Sequence, residues 1–254
     1  MDQAFKGLVM KEYRMMRNFY ITVFLVQFVY FIFLGWNAAT LDELIVRYSL
    51  ELAIGLIILP ATVLFSLNME VNQMEQFLHN PQSAHKKVLA KLFNATIISL
   101  LFFLVYFLVL IVLSMLGGHI ISMMDFLNLF VWFIISVVSV SVFSVAILLL
   151  LWSLHQFIKP YIGWGWSAVC LFVIFYLFTW ILGWSQRVGL YDRIIGWGEV
   201  TIPLTPTNQM PFFIGVENNS GELTFFVGFF IFYGVLTMGA YMVSVYLIER
   251  QVEV

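Results

Sequence analysis

Charge is scarce in this chain. Only 10% of its 254 residues are Asp, Glu, Lys or Arg, against about a quarter in water-soluble domains. With 62% apolar and 18% aromatic residues, its polar side chains cannot cover a globule, which excludes a water-soluble fold. The single cysteine, Cys170, rules out an intrachain disulfide and a cysteine metal cluster. It lies in an apolar run and reads as a small buried hydrophobe. There is no basic tract to suggest nucleic acid as a partner. No G-x-x-x-x-G-K-[ST] phosphate loop occurs, so the chain is not expected to hydrolyse ATP itself. Catalytic signatures are missing too: His79, His85, His119 and His155 never fall at the i, i+4 spacing of a helical zinc site, and no nucleophile elbow is found. These absences point away from an enzyme.

What the chain has is apolar length. Crossing ~30 Å of hydrocarbon takes about 20 mostly apolar helical residues, because every backbone amide must be satisfied within the segment. Six stretches qualify: Phe19–Trp36, Tyr48–Leu67, Leu92–Leu116, Phe126–Trp152, Tyr161–Leu182 and Phe225–Ile248. The expected fold is therefore an all-α integral membrane domain of six spans over residues 1–254. Lys6, Lys11, Arg14, Arg17, Lys86, Lys87, Lys91, Lys159 and Arg250 fall on one side of these spans. Arg47, Arg187 and Arg193 fall on the other. The retention of cations on the inner face then places both termini in the cytoplasm. Trp36, Trp152, Trp164, Trp166 and Trp184 sit near span ends, as anchoring indoles do. A signal peptide cleaved near Trp36-Asn37-Ala38-Ala39 is the rival for the N-terminus, but the apolar run is longer than a signal core. Phe19–Trp36 is read as a retained span.

Two inner elements carry the functional reading. On a helical wheel, Phe5, Leu8, Val9, Tyr13, Met15 and Met16 share one arc of residues 1–18, and Lys6, Lys11, Arg14 and Arg17 the other. That pattern predicts a helix lying in the membrane surface, its cations on anionic headgroups or a protein partner. Glu12 falls on the apolar arc, where it demands a partner. The loop over residues 68–91 predicts a short helix around Gln73–Leu78, stopped before Asn80-Pro81, and a second start near Ser83. It would form a knob with Phe77 and Leu78 available for burial.

This loop resembles that of the membrane permeases of type-2 ATP-binding-cassette exporters. Their first cytoplasmic loop runs acidic, any, Gly, Thr, apolar, Glu, any, two apolar, two variable, Pro, any, Ser, with a Lys eight residues later. Glu70, Met74, Glu75, Phe77, Leu78, Pro81, Ser83 and Lys91 fill the corresponding places without a gap. Asn72 stands at the usual glycine and Gln73 at the usual threonine. Asparagine tolerates left-handed backbone better than other non-glycine residues, so the same turn can form. The resemblance implies a coupling helix seated on a separate cytoplasmic ATPase that holds ATP and magnesium, while this chain holds no cofactor. It also implies a second permease copy or paralogue as partner and an N-terminal elbow helix. An ordinary hairpin with a proline stop is the competing reading of the loop.

The outer loop over residues 183–224 is too long to lack structure of its own. Leu190, Ile194, Ile195 and Trp197 among Arg187, Asp192, Arg193 and Glu199 predict a short amphipathic segment, ended by Pro203, Pro206 and Pro211. The resemblance implies short re-entrant helices that close the outer mouth. Asn218-Asn219-Ser220 has the form of a glycosylation acceptor. Glu51 is the ionisable group to weigh inside the spans. Either it pairs with Arg47 at i, i+4 and snorkels outward, the favoured reading, or it serves transport or gating. Asp125 reads as a helix cap. The serines of the fourth span spread over half the wheel and read as packing groups. Aromatic-rich, uncharged spans suit a hydrophobic or amphipathic cargo such as a toxin-like or antimicrobial peptide. The setting would be a bacterial plasma membrane. An ATP-independent channel, secondary transporter or membrane sensor is the alternative.

Overall fold

The computed structural model describes residues 3–49, 51–71, 83–116, 123–203, 217–219 and 222–252. Its helices are α1 (Gln3–Asn37), α2 (Leu41–Ser49), α3 (Glu51–Val71), α4 (Ala84–Leu116), α5 (Met123–Ile162), α6 (Trp164–Arg187), α7 (Leu190–Ile195) and α8 (Val227–Val252). Strands β1 (Glu199–Pro203), β2 (Glu217–Asn219) and β3 (Glu222–Phe226) lie between α7 and α8. Five helices, α1, α4, α5, α6 and α8, contain stretches long and apolar enough to cross a membrane. The chain is thus built as a multi-pass membrane protein. The second predicted span corresponds to a shorter apolar helix, Ile54–Glu70.

Several boundaries differ from those predicted, for local reasons. No break separates the amphipathic segment from the first span, since α1 is one helix of 35 residues. At 1.5 Å per residue it is about 52 Å long, well beyond the hydrocarbon thickness. The expected separate in-plane helix over residues 1–18 is therefore corrected. Its apolar arc is taken by protein: Leu8, Met16, Tyr20, Gln27 and Leu34 form one buried stripe with Glu12. The helix at the second predicted span, α3, starts at Glu51 and is preceded by a separate helix, Leu41–Ser49. Thr40 caps α2, its hydroxyl accepting from the Glu43 amide at 3.2 Å, while Glu43 reaches back to the Ala39 amide at 2.9 Å. This is a reciprocal cap of the Thr-x-x-Glu type. At α5 the helix runs on past Trp152 and through Pro160, ending at Gly163, whose φ of 82° breaks it before α6. Asp125 falls within the first turn of α5 rather than at its cap.

The chain divides into two compact units, residues 1–141 and 142–254, with α5 running from one into the other. In the first, α4 packs on both α1 and α3. Tyr48 stacks on Tyr106 at 4.9 Å and meets the edge of Phe31 at 5.3 Å. Phe102, Phe103, Leu59 and Val63 are fully buried beside them. Gly55 permits this approach, since a Cβ there would lie 2.4 Å from the Phe103 ring.

In the second unit the expected outer helices are only partly found. α7 is helical, but a three-stranded antiparallel sheet in the order β1-β3-β2 follows it. Pro203 ends β1 at its pairing with Glu222. α7 packs on the start of α8, where a Cβ on Gly228 would meet the Ile195 carbonyl at 2.5 Å. Tyr191 and Tyr233 share a hydrogen bond of 2.9 Å there. Burial and that bond push the Tyr191 phenol up. At the other end of α6, Ser167 lies 2.8 Å from His155 Nδ1 and donates to the His155 carbonyl at 3.2 Å.

Candidate functional site

An ionisable side chain buried between apolar helices costs several kcal/mol unless its charge is met, so buried charges should occur in matched sets. One such set occupies the first unit where α1, α3 and α4 converge. Lys91, on α4, is 1% exposed at its side chain and Glu12, on α1, is 5% exposed. They pair at 2.7 Å. Ser66 of α3 donates to the other oxygen of Glu12 at 2.6 Å and accepts from Lys91 at 2.6 Å. Glu70, one turn further along α3, places Oε2 3.0 Å from Lys91 Nζ and Oε1 3.2 Å from Lys11 of α1. The 3.0 Å approach is an ion contact without hydrogen-bond geometry, which leaves Oε2 without a hydrogen-bond donor.

Lys91 thus spends its ammonium on Glu12, Ser66 and Glu70 together. Lys87, one turn before Lys91 on α4, is buried as well and interacts electrostatically with Glu70 and Lys11. Asn94, just beyond Lys91 on α4, donates to the Val9 carbonyl of α1 at 3.0 Å and adds a neutral tie. Phe5 packs edge-on against Phe93 at 6.4 Å, and Phe19 stacks on Phe65 at 4.8 Å.

Glu70 is the last residue described as buried before residues 72–82, and Lys91 lies two turns into the helix that follows them. The loop's two roots are thereby fastened to one another and to α1. Glu70 and Lys91 are also the first and last positions of the exporter-like spacing. Ser83 is exposed immediately before α4, where the Lys87 amide donates to its carbonyl at 3.3 Å. Glu75, Phe77, Leu78 and Pro81 lie outside the described residues, as does the expected short helix around Gln73–Leu78.

Lys6, Arg14 and Arg17 are exposed along α1, and Lys11, also exposed, pairs with Glu70 at the edge of the buried set. Glu51 opens α3, and its side chain lies outside those described. The pairing expected between Glu51 and Arg47 therefore lies outside the described residues; Arg47 does pair with Glu43, also at i, i+4 and within α2. The Ala39 amide and the Arg47 guanidinium hold the Glu43 carboxyl below its usual range. Sequence reasoning missed Ser66 and the Glu12–Lys91 pair. The available signal was Glu12 itself, an acid on an apolar arc, which required a buried cation.

No protein-family model, no curated protein and no solved structure matches this chain.

Proposed function

We propose that this chain is the membrane permease subunit of an ATP-driven exporter. It would work as a dimer with itself or with a related permease, powered by a separate cytoplasmic ATPase of the ATP-binding-cassette type. The observation that carries the reading is the joining of Glu70 and Lys91, the two roots of the loop, to Glu12 and Lys11 of α1 through a buried ionic set. A loop that must transmit force needs stiff roots, because play in a mobile stem would absorb the displacement delivered by the ATPase. In this reading α3 supplies a sixth crossing, both termini lie in the cytoplasm, and residues 72–82 seat on the ATPase.

Closure of the ATPase pair around ATP would draw two such loops together and bias the permease between inward- and outward-open states. Energy enters as a coupling between two sites, which requires an element that differs between the two states. The cargo is hydrophobic or amphipathic, a toxin-like or antimicrobial peptide in keeping with the uncharged, aromatic spans, moved outward across a bacterial plasma membrane.

The test is made at the loop. Glu75→Ala combined with Phe77→Ala should abolish most cargo-stimulated ATP hydrolysis while leaving membrane insertion and permease assembly intact. Unimpaired transport by that double variant would remove the loop from the mechanism and leave an ATP-independent channel, secondary transporter or sensor as the better account.

A further inference from the structure

Helix α1 has two opposed faces along its whole length. Opposite the buried stripe, Arg14, Arg17, Ile21, Leu25, Phe28 and Ile32 succeed one another at steps of three and four residues, which keeps them on one side of a 3.6-residue helix. All six are exposed. From Arg17 to Ile21 the face changes from guanidinium to branched aliphatic within about 6 Å of helical rise. Its apolar part lies in the membrane-crossing portion of α1, so Arg14 and Arg17 stand one to two turns beyond it, at headgroup level.

These cations are not already engaged. Lys6, Arg14 and Arg17 make no ion pair among the described residues, whereas Lys11, nearer the buried face, is held by Glu70. Glu12 is the sole acid of α1 and lies on the opposite, buried side. The exposed face therefore presents positive charge with no carboxylate to meet an ammonium headgroup. Arginine binds phosphate with a planar, bidentate fork. Two arginines at i, i+3 stand about 5–6 Å apart at Cβ, close enough to share one phosphate.

We infer that this face of α1 is a binding site for an anionic phospholipid. Arg14 and Arg17 hold the phosphate, Lys6 adds charge behind them, and the acyl chains lie along Ile21, Leu25, Phe28 and Ile32. The site does not depend on the transport reading, since it uses none of the loop residues.

The test uses the full chain in phosphatidylcholine nanodiscs titrated with phosphatidylglycerol, with retained lipid counted by native mass spectrometry. The wild-type chain should retain phosphatidylglycerol over phosphatidylcholine. Arg14→Gln with Arg17→Gln should lower that preference about fivefold for each arginine removed, the attraction of one cation to an anionic surface. Arg14→Lys with Arg17→Lys should keep most of it. The single Gln variants repeat the measurement should the double variant not insert. Excess water-soluble glycerophosphoglycerol should not displace the lipid, because it lacks the chains. Equal retention of the two lipids by the wild-type chain, an undiminished preference in the Gln variants, or displacement by the soluble headgroup would each overturn the site.

Discussion

Lys91 meets two carboxylates and a hydroxyl with one ammonium, and that sharing sets how unequally the network's members matter. Lys91→Met strands Glu12, while Glu70 keeps Lys11, and breaking a buried pair in this way costs about 3–5 kcal/mol. Lys11 is 45% exposed at its side chain, so Lys11→Ala should cost under about 1 kcal/mol after solvent screening. Unfolding in mild detergent, followed by light scattering, should therefore separate the two variants clearly. Adding Glu12→Gln to Lys91→Met should recover part of the loss by removing the stranded charge. Equal effects of Lys11 and Lys91 would contradict the burial on which the network rests. At this scale the sequence was half legible. Glu12 announced itself by breaking the apolar arc, but Lys91 looked like one more inward-facing cation. Nothing local could show that 79 residues of separation close to 2.7 Å.

Among the elements, hydrophobic length announced six crossing helices, of which five are long and apolar enough among the described residues, and left their ends uncertain, because length alone does not say where a helix stops. Lys86, Lys87 and Lys91 ended the predicted third span early, although lysine is a good helix former and α4 continues through all three to Ala84. The stop between α5 and α6 turned on the backbone of Gly163, which the apolar count ignored. The sheet between α7 and α8 was not foreseen, because its strands are short and pair across an intervening stretch of chain. Helix α2 was legible in retrospect from Thr40 and Glu43 at capping-box spacing. Thr40→Ala should cost about 1 kcal/mol at that cap, visible as faster amide exchange over Leu41–Leu44. Acid should act similarly. Glu43 has a lowered carboxyl value in the fold, so its contribution is complete above the ordinary carboxylate range. It is lost as pH falls through the lowered value. Amide exchange in α2, corrected for its intrinsic pH dependence, should rise in that window in the wild-type chain and stay flat in Glu43→Gln.

For the whole molecule, composition alone determined that lipid is the main solvent, while the proposed function is argued from a small region where charge is concentrated. The uncharged spans say little about cargo, since apolar packing looks alike whatever passes between helices. The charged cluster beside residues 72–82 says more, because burying Glu12, Glu70 and Lys91 there is costly and favours the proposed coupling role over a passive connection. An exporter permease needs a soluble engine, and this chain carries no phosphate loop of its own. The decisive measurement is purification of the chain from its native membrane in a mild detergent, followed by identification of every soluble protein that remains bound. A cytoplasmic subunit carrying G-x-x-x-x-G-K-[ST], retained by the wild-type chain and lost when Glu75 and Phe77 are both changed to alanine, is the predicted result. A wild-type chain that purifies with no such subunit, and whose transport proceeds without ATP, would contradict the account.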